Sequence, residues 1–156
     1  MSEMINEAIR LAVRAHNGQV DLAGHPYILH VLRVGAAGQT ELEQAVGFLH
    51  DTIEDTKVGV SEITHLFGLE VADAVKAVTR GFKRGEFLYF KRPPGVDTER
   101  ETYHQFIIRV NENPIARRVK IIDIADNLSR MGNIADHSKR EMLEARYFKA
   151  LQILGR

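Results

Sequence analysis

The sequence predicts an all-α fold, and three observations carry that expectation. Apolar residues recur at helical spacing in nearly every segment between punctuating Gly, Pro and Asn residues. No stretch shows the apolar–polar alternation of a half-buried strand. The run GFLHDTIEDT at 47–56 keeps helical register while it carries His50, Asp51, Glu54 and Asp55 on one broad face, opposite Ala45, Val46, Leu49 and Ile53.

Each element has its own signal. Residues 3–16 align Ile5, Ile9, Ala12 and Val13 and stop at Asn17-Gly18. Gly24 and Pro26 open a second helix, with Pro26 in its first turn and residues 27–35 following. The third spans 41–55, and 61–67, stopped by Gly68, forms a short pair with 70–79. Thr98-Glu99-Arg100-Glu101 fits a capping box for a helix reaching Val110. Asn113-Pro114 starts another that continues to Met131. Within it, Val119-Lys120-Ile121-Ile122 is β-branched, but apolar positions continue at helical spacing through Ile124, Ala125 and Leu128, so it reads as helix. Ser138-Lys139-Arg140-Glu141 is a second capping box, and that last helix ends at Gly155. About seven to nine helices result. Between them lies one irregular stretch, 80–97, with Arg80, Lys83, Arg84, Lys91 and Arg92 against Glu86 alone before Asp97. A loop of that length in a compact domain is commonly functional or disordered.

Length and composition narrow the function classes. A chain of 156 residues is most simply one domain, 1–156, able to bury a single core. Hydrophobic content of 44% and charged content of 27% are those of a soluble globular protein. No apolar run approaches the ~20 residues that span a bilayer, and the N-terminus lacks a signal-peptide layout, so the expectation is a cytoplasmic protein without a membrane partner. With no cysteine, disulfides and thiolate sites are excluded, and any metal must be held by His, Asp, Glu or backbone oxygen. Twenty-one basic and 21 acidic residues give zero formal charge, which argues against DNA or RNA as the partner.

The charged face of 47–56 needs matching groups elsewhere. His30 lies in an apolar helix, one turn after Pro26-Tyr27. Asp123 sits among Ile121, Ile122 and Ile124, where an ionised carboxylate is costly unless paired or metal-bound. Asp126, Asn127 and Arg130 follow on about the same face. These anomalies on three helices suit one metal site in a helical bundle. A mixed nitrogen and oxygen donor set suits Mn, Fe, Co or Zn better than calcium.

His30, the tandem His50-Asp51 and the distant Asp123 resemble the H…HD…D signature of the HD-domain phosphohydrolases. AHNGQ (15–19), GHPYILH (24–30), HDTIEDT (50–56) and VKIIDIADNL (119–128) are similar to the hydrolase domain of RelA/SpoT proteins and to stand-alone small alarmone hydrolases. The resemblance implies an all-helical HD domain holding one divalent ion, typically manganese, through His30, His50, Asp51 and Asp123. It prefers Asp123 over Asp126 because the family aspartate lies three residues after the Val-Lys lysine, here Lys120. The nucleotide-contacting Asn then falls on Asn127, and Tyr27 lies in the matching block as a further substrate contact. Known members remove the 3′-pyrophosphate of guanosine tetra- or pentaphosphate, and an animal relative acts on NADPH.

The implied substrate is therefore a small phosphorylated nucleotide, handled by a monomer or a homo-oligomer. Glu54 and Asp55 fall on the family's catalytic Glu-Asp pair. Glu54 is placed to orient or deprotonate a water, and Asp55 to protonate the leaving oxygen or fix the histidines. Arg80, Lys83 and Arg84 are candidates for neutralising the phosphates. The chain departs from the family at Asp21 and Leu22, where an Arg-Lys pair is usual. That departure leaves two rivals to alarmone hydrolysis: a hydrolase of another nucleotide, or a non-catalytic sensor.

Overall fold

The computed structural model describes residues 2–155. The order is α1 (Glu3–Ala15), α2 (Ile28–Ala36), α3 (Glu41–Leu49), α4 (Thr52–Asp55), α5 (Val60–Phe67), α6 (Leu69–Ala77), β1 (Phe82–Arg84), β2 (Phe87–Tyr89), β3 (Glu99–Arg100), α7 (Tyr103–Val110), α8 (Pro114–Ser129) and α9 (His137–Ile153). A short 3-10 turn, Met131–Asn133, separates α8 from α9. Among the described residues no helix is long and apolar enough to cross a membrane.

Helix α8 packs against α2, α3, α6 and α9. Asn113 caps its start by accepting from the Ala116 N–H at 3.0 Å, and Pro114 fills its first turn, as expected. Val119, Ile121 and Ile124 are buried on it, so the β-branched run is helical. Helices α2 and α3 meet at unusually close range. A Cβ added at Gly47 would lie 2.8 Å from the Gly35 Cα, and one at Gly35 would lie 2.2 Å from the Phe48 ring. Two glycines therefore set the approach of the helices that carry His30 and His50.

Several expectations change. The helix expected over 41–55 is two helices, because Asp51 adopts φ −105° and ψ 2° between α3 and α4. Helix α2 starts at Ile28 rather than in the turn of Pro26, whose backbone bridges to Val20 instead. On α1 the buried stripe is Ile5, Ala8, Leu11 and Ala12, while Val13 is exposed. The segment 80–97 is not wholly irregular: β1 and β2 form a hairpin, and β3 pairs on the other edge of β1, giving an antiparallel order β2-β1-β3.

Both capping boxes move. Thr98 does not open a helix, because Glu101 is buried and its carboxylate accepts from the Gly81 N–H and the Arg109 guanidinium. The same spacing recurs four residues later. There Thr102 Oγ1 accepts from the Gln105 N–H, and Gln105 Oε1 accepts from the Thr102 N–H. In α9 the cap is Asp136, which accepts from the Lys139 N–H, not Ser138.

Candidate metal centre

The three helices α2, α3 and α8 bring His30, His50 and Asp123 into one buried cluster. One donor atom from each residue lies within 4.8 Å of the other two. His30 Nε2 is 2.9 Å from Asp123 Oδ1, and His50 Nε2 is 3.3 Å from the same oxygen. Asp51 Oδ2 lies 3.0 Å from His50 Nε2 and 3.9 Å from His30 Nε2. The break in the helix after His50 turns Asp51 inward beside its neighbour.

Hydrogen bonds behind the rings fix which nitrogen faces the centre. His50 Nδ1 donates to the Gly47 carbonyl at 2.6 Å, which turns Nε2 toward the centre. His30 Nδ1 lies 2.7 Å from Asp126 Oδ2 and 3.1 Å from Arg130 Nη2, which turns its Nε2 toward the centre. Both Nε2 atoms thus face carboxylate oxygens. Among the described residues the buried His50 Nε2 has no properly directed hydrogen-bond partner, despite the short distances. Two carboxylates this close to one buried nitrogen repel each other unless a positive charge lies among them.

The electrostatics of the cluster call for positive charge at the same place. Burial opposes charging of His50, yet the Asp51 and Asp123 carboxylates push its pKa well above the ordinary value. Burial likewise opposes ionisation of Asp51, but the His50 ring holds it at about 2. Asp123 is held well below the usual range, against burial, chiefly by Lys120. These atoms together favour a cation at their centre, and a nitrogen–oxygen donor set without sulfur fits a divalent transition ion.

Around the centre lies a cleft of about 190 Å³. Its lining includes Tyr27, Asp51, Glu54, Asp55, Arg80 and Tyr103, with Lys120, Asn127, Arg146 and Tyr147 on the α8 and α9 side. The Tyr27 hydroxyl donates to Asp51 Oδ2. Lys120 Nζ is 2.8 Å from Asp123 Oδ2 and faces the Phe106 ring at 5.1 Å. Burial works against its charge, and Asp123 overrules burial, raising its pKa. Among the described residues the buried Tyr103 hydroxyl has no hydrogen-bond partner. Glu54 Oε1 accepts from the Arg80 N–H at 2.9 Å, and Oε2 lies 3.5 Å from Arg100. Burial first, then the charges of Asp51 and Glu54, push the Asp55 carboxyl up to about 7.

The structure therefore gathers His30, His50, Asp51, Asp123, Glu54, Asp55, Tyr27, Asn127 and Arg80. It does not bring Lys83 and Arg84 there. They sit on β1 and line a separate groove with Gly85, Asp97 and Arg100. Sequence reading missed Lys120 as a site residue, although a lone lysine in an apolar helical run is a signal. It also missed Tyr103, Arg146 and Tyr147, which nothing local distinguishes.

Asp126 stands behind the centre, where it pairs with Arg33 at 2.8 Å and Arg130 at 3.0 Å as well as His30. Asp21, an acid where a base was expected, has a structural role. Its Oδ1 accepts from the Ala23 and His25 N–H groups at 2.9 Å, and Oδ2 is 3.4 Å from Arg130. Beside the cleft, and sharing Tyr27, Asn127 and Tyr147 with it, a second compartment of about 380 Å³ is walled by Val20, Leu22 and Ile134.

A helical bundle with this buried histidine–aspartate cluster and carboxylate-lined cleft has the architecture of an HD domain. Residues 8–149 match the HD domain family, and the chain belongs to it. It is similar to the GTP pyrophosphokinase of Myxococcus xanthus, 30% identical over 146 residues, covering 91% of this chain and 19% of that protein. A GTP pyrophosphokinase of Streptomyces coelicolor is 31% identical over 153 residues, covering 96% and 17%. The chain thus spans only a small part of these relatives. In fold it resembles a solved metazoan ortholog of SpoT, described as hydrolysing ppGpp and acting in starvation responses. That likeness has a TM-score of 0.78 at 22% identity, covering 99% of this chain and 86% of that one.

Proposed function

We propose that the chain is a cytoplasmic, single-domain guanosine 3′,5′-bis(diphosphate) 3′-pyrophosphohydrolase that uses one divalent ion, manganese in the first instance. The observation that carries this reading is the buried His30–His50–Asp123 cluster opening on a cleft with both carboxylates and cations. His30, His50, Asp51 and Asp123 would hold the ion. When bound, it supplies a Lewis acid that lowers the pKa of water towards about 7 and polarises a phosphoryl oxygen.

The chain's own residues do the rest. Glu54, fixed by the Arg80 N–H, orients the attacking water. Asp55 delivers a proton to the leaving 3′-oxygen. Lys120, Arg80 and Arg146 neutralise the diphosphate, and the unpartnered Tyr103 hydroxyl donates to one of its oxygens. Tyr27 and Asn127 stand where the cleft meets the larger, more apolar compartment, which suits a nucleoside.

The test is purified protein with manganese against a nucleotide panel, scored for pyrophosphate versus phosphate. Release of pyrophosphate from guanosine tetraphosphate is the expected result. Phosphate or pyrophosphate released faster from another nucleotide would support the second reading, an HD hydrolase of different specificity. Leu22 on the compartment wall and Asp21 bonded to Arg130 favour that reading, since neither can serve a phosphate. Bound metal with no turnover on any phosphate ester would leave a sensor.

Asp126→Asn tests the division between direct and supporting groups. It removes charge behind His30 without touching the centre, so metal affinity should fall about 10–100-fold. Asp123→Asn should cost more, and titration calorimetry with manganese on both variants measures the order. The reverse order would exchange the two aspartates' roles.

A further inference from the structure

We infer that Lys91 and Gln19 are positioning residues that clamp the turn carrying Glu54 and Asp55 from two sides, an inference that rests on the catalytic reading of those carboxylates. Helix α4 has four residues. A single turn does not hold itself in water, because its nucleation cost is spread over too few hydrogen bonds. Its last carbonyls also lack partners within the helix. Two side chains from distant segments supply them.

Lys91 Nζ donates to the carbonyls of both Ile53 and Thr56. On the other side, Gln19 Nε2 donates to the Asp55 carbonyl at 2.9 Å. Gln19 is itself fixed, since its Oε1 accepts from Nδ1 of the buried His16 at 2.8 Å. Burial works against the Lys91 charge and lowers its pKa, while the neighbouring Asp55 favours it.

The segment that delivers Lys91 has anchors outside α4. Its hairpin root is tied to Glu101, whose Oε1 accepts from the Gly81 N–H and whose carbonyl accepts from Arg80 Nε. Arg109 pairs with Glu101 at 2.8 Å and donates to the Thr79 carbonyl at 2.7 Å. The same root presents the Arg80 N–H to Glu54. The basic 80–97 segment thus grips both the carbonyl end of α4 and the Glu54 carboxylate. Its lysine acts on the catalytic turn through the backbone.

The experiment compares Lys91→Met and Gln19→Leu with Lys91→Arg and with Arg92→Met, a charge loss at the adjacent exposed residue. Three readouts are taken on the full chain with manganese: amide exchange at Asp55 and Thr56, metal content, and kcat and KM on whichever phosphate ester wild type turns over. Lys91→Met and Gln19→Leu should speed exchange about tenfold or more. Both should lower kcat about ten- to a hundredfold, with KM within about twofold and metal content unchanged. Lys91→Arg should recover much of kcat, and Arg92→Met should match wild type. Unchanged exchange in both variants overturns the clamp. Faster exchange with unchanged kcat overturns its catalytic role. A wild type inactive on every phosphate ester would sink the functional reading instead, and the exchange data alone would then decide the clamp.

Discussion

His50→Ala is expected to lose the bound divalent ion and all measurable turnover together. The side chain is buried, its Nδ1 is committed to the Gly47 carbonyl, and its Nε2 faces Asp51 and Asp123 without a directed hydrogen bond. Alanine removes one of the two nitrogen donors and leaves two carboxylates facing each other across a void. Elemental analysis should find about one ion per wild-type chain and none in the variant.

A second measurement separates this from simple loss of fold. An ion that binds only the native state stabilises it by about 2.7 kcal/mol at a hundred times its Kd. For a chain of this size, that raises Tm by about 5–10 °C. Wild type should show the rise when manganese is added, and His50→Ala should melt at one temperature with or without it. Full metal occupancy in the variant, or an equal thermal response, would overturn the assignment of the centre.

Asp55→Asn is expected to keep the metal and lose about 10²–10⁴-fold in turnover, the usual contribution of a positioned proton donor. The sign of the pH dependence follows from the carboxyl's environment. Burial, Asp51 and Glu54 all disfavour its charged form and raise its pKa to about 7. Below that pH the group carries the proton it donates; above it the proton is gone. Wild-type turnover should therefore fall as pH rises through about 7, and that descending limb should vanish in Asp55→Asn. Glu54→Gln should also keep the metal and lose turnover, but retain the limb. A limb that disappears in Glu54→Gln and survives in Asp55→Asn would exchange the two roles.

The helical content, the buried face of Ala45, Val46, Leu49 and Ile53 and the candidate residues His30, His50, Asp51 and Asp123 were legible in the chain. Each is written in local terms. A charged side chain in an apolar helical run costs free energy wherever the run folds, so it flags itself. Punctuation at Asn113-Pro114 and Gly68 likewise acts on its nearest neighbours.

What failed locally was decided at a distance. Thr98 and Thr102 both head a capping-box pattern. Glu101 abandons the first because Arg109 and the Gly81 N–H, far away in sequence or in the next segment, satisfy it better. The helix over 41–55 breaks so that Asp51 can join His50 and receive the Tyr27 hydroxyl. Lys83 and Arg84, as basic as Arg80, face another groove because strand pairing turns them there. Arg146 and Tyr147 reach the cleft only when α9 folds back over α8.

The sequence by itself therefore determined that the chain is mainly helical and which side chains could not be buried uncompensated, since both follow from interactions within a few residues. Only the tertiary structure decided which of the many charges meet. A short turn such as α4, with too few bonds of its own, takes its geometry from Lys91 and Gln19 because which side chains reach its free carbonyls depends on position in space, not on order along the chain.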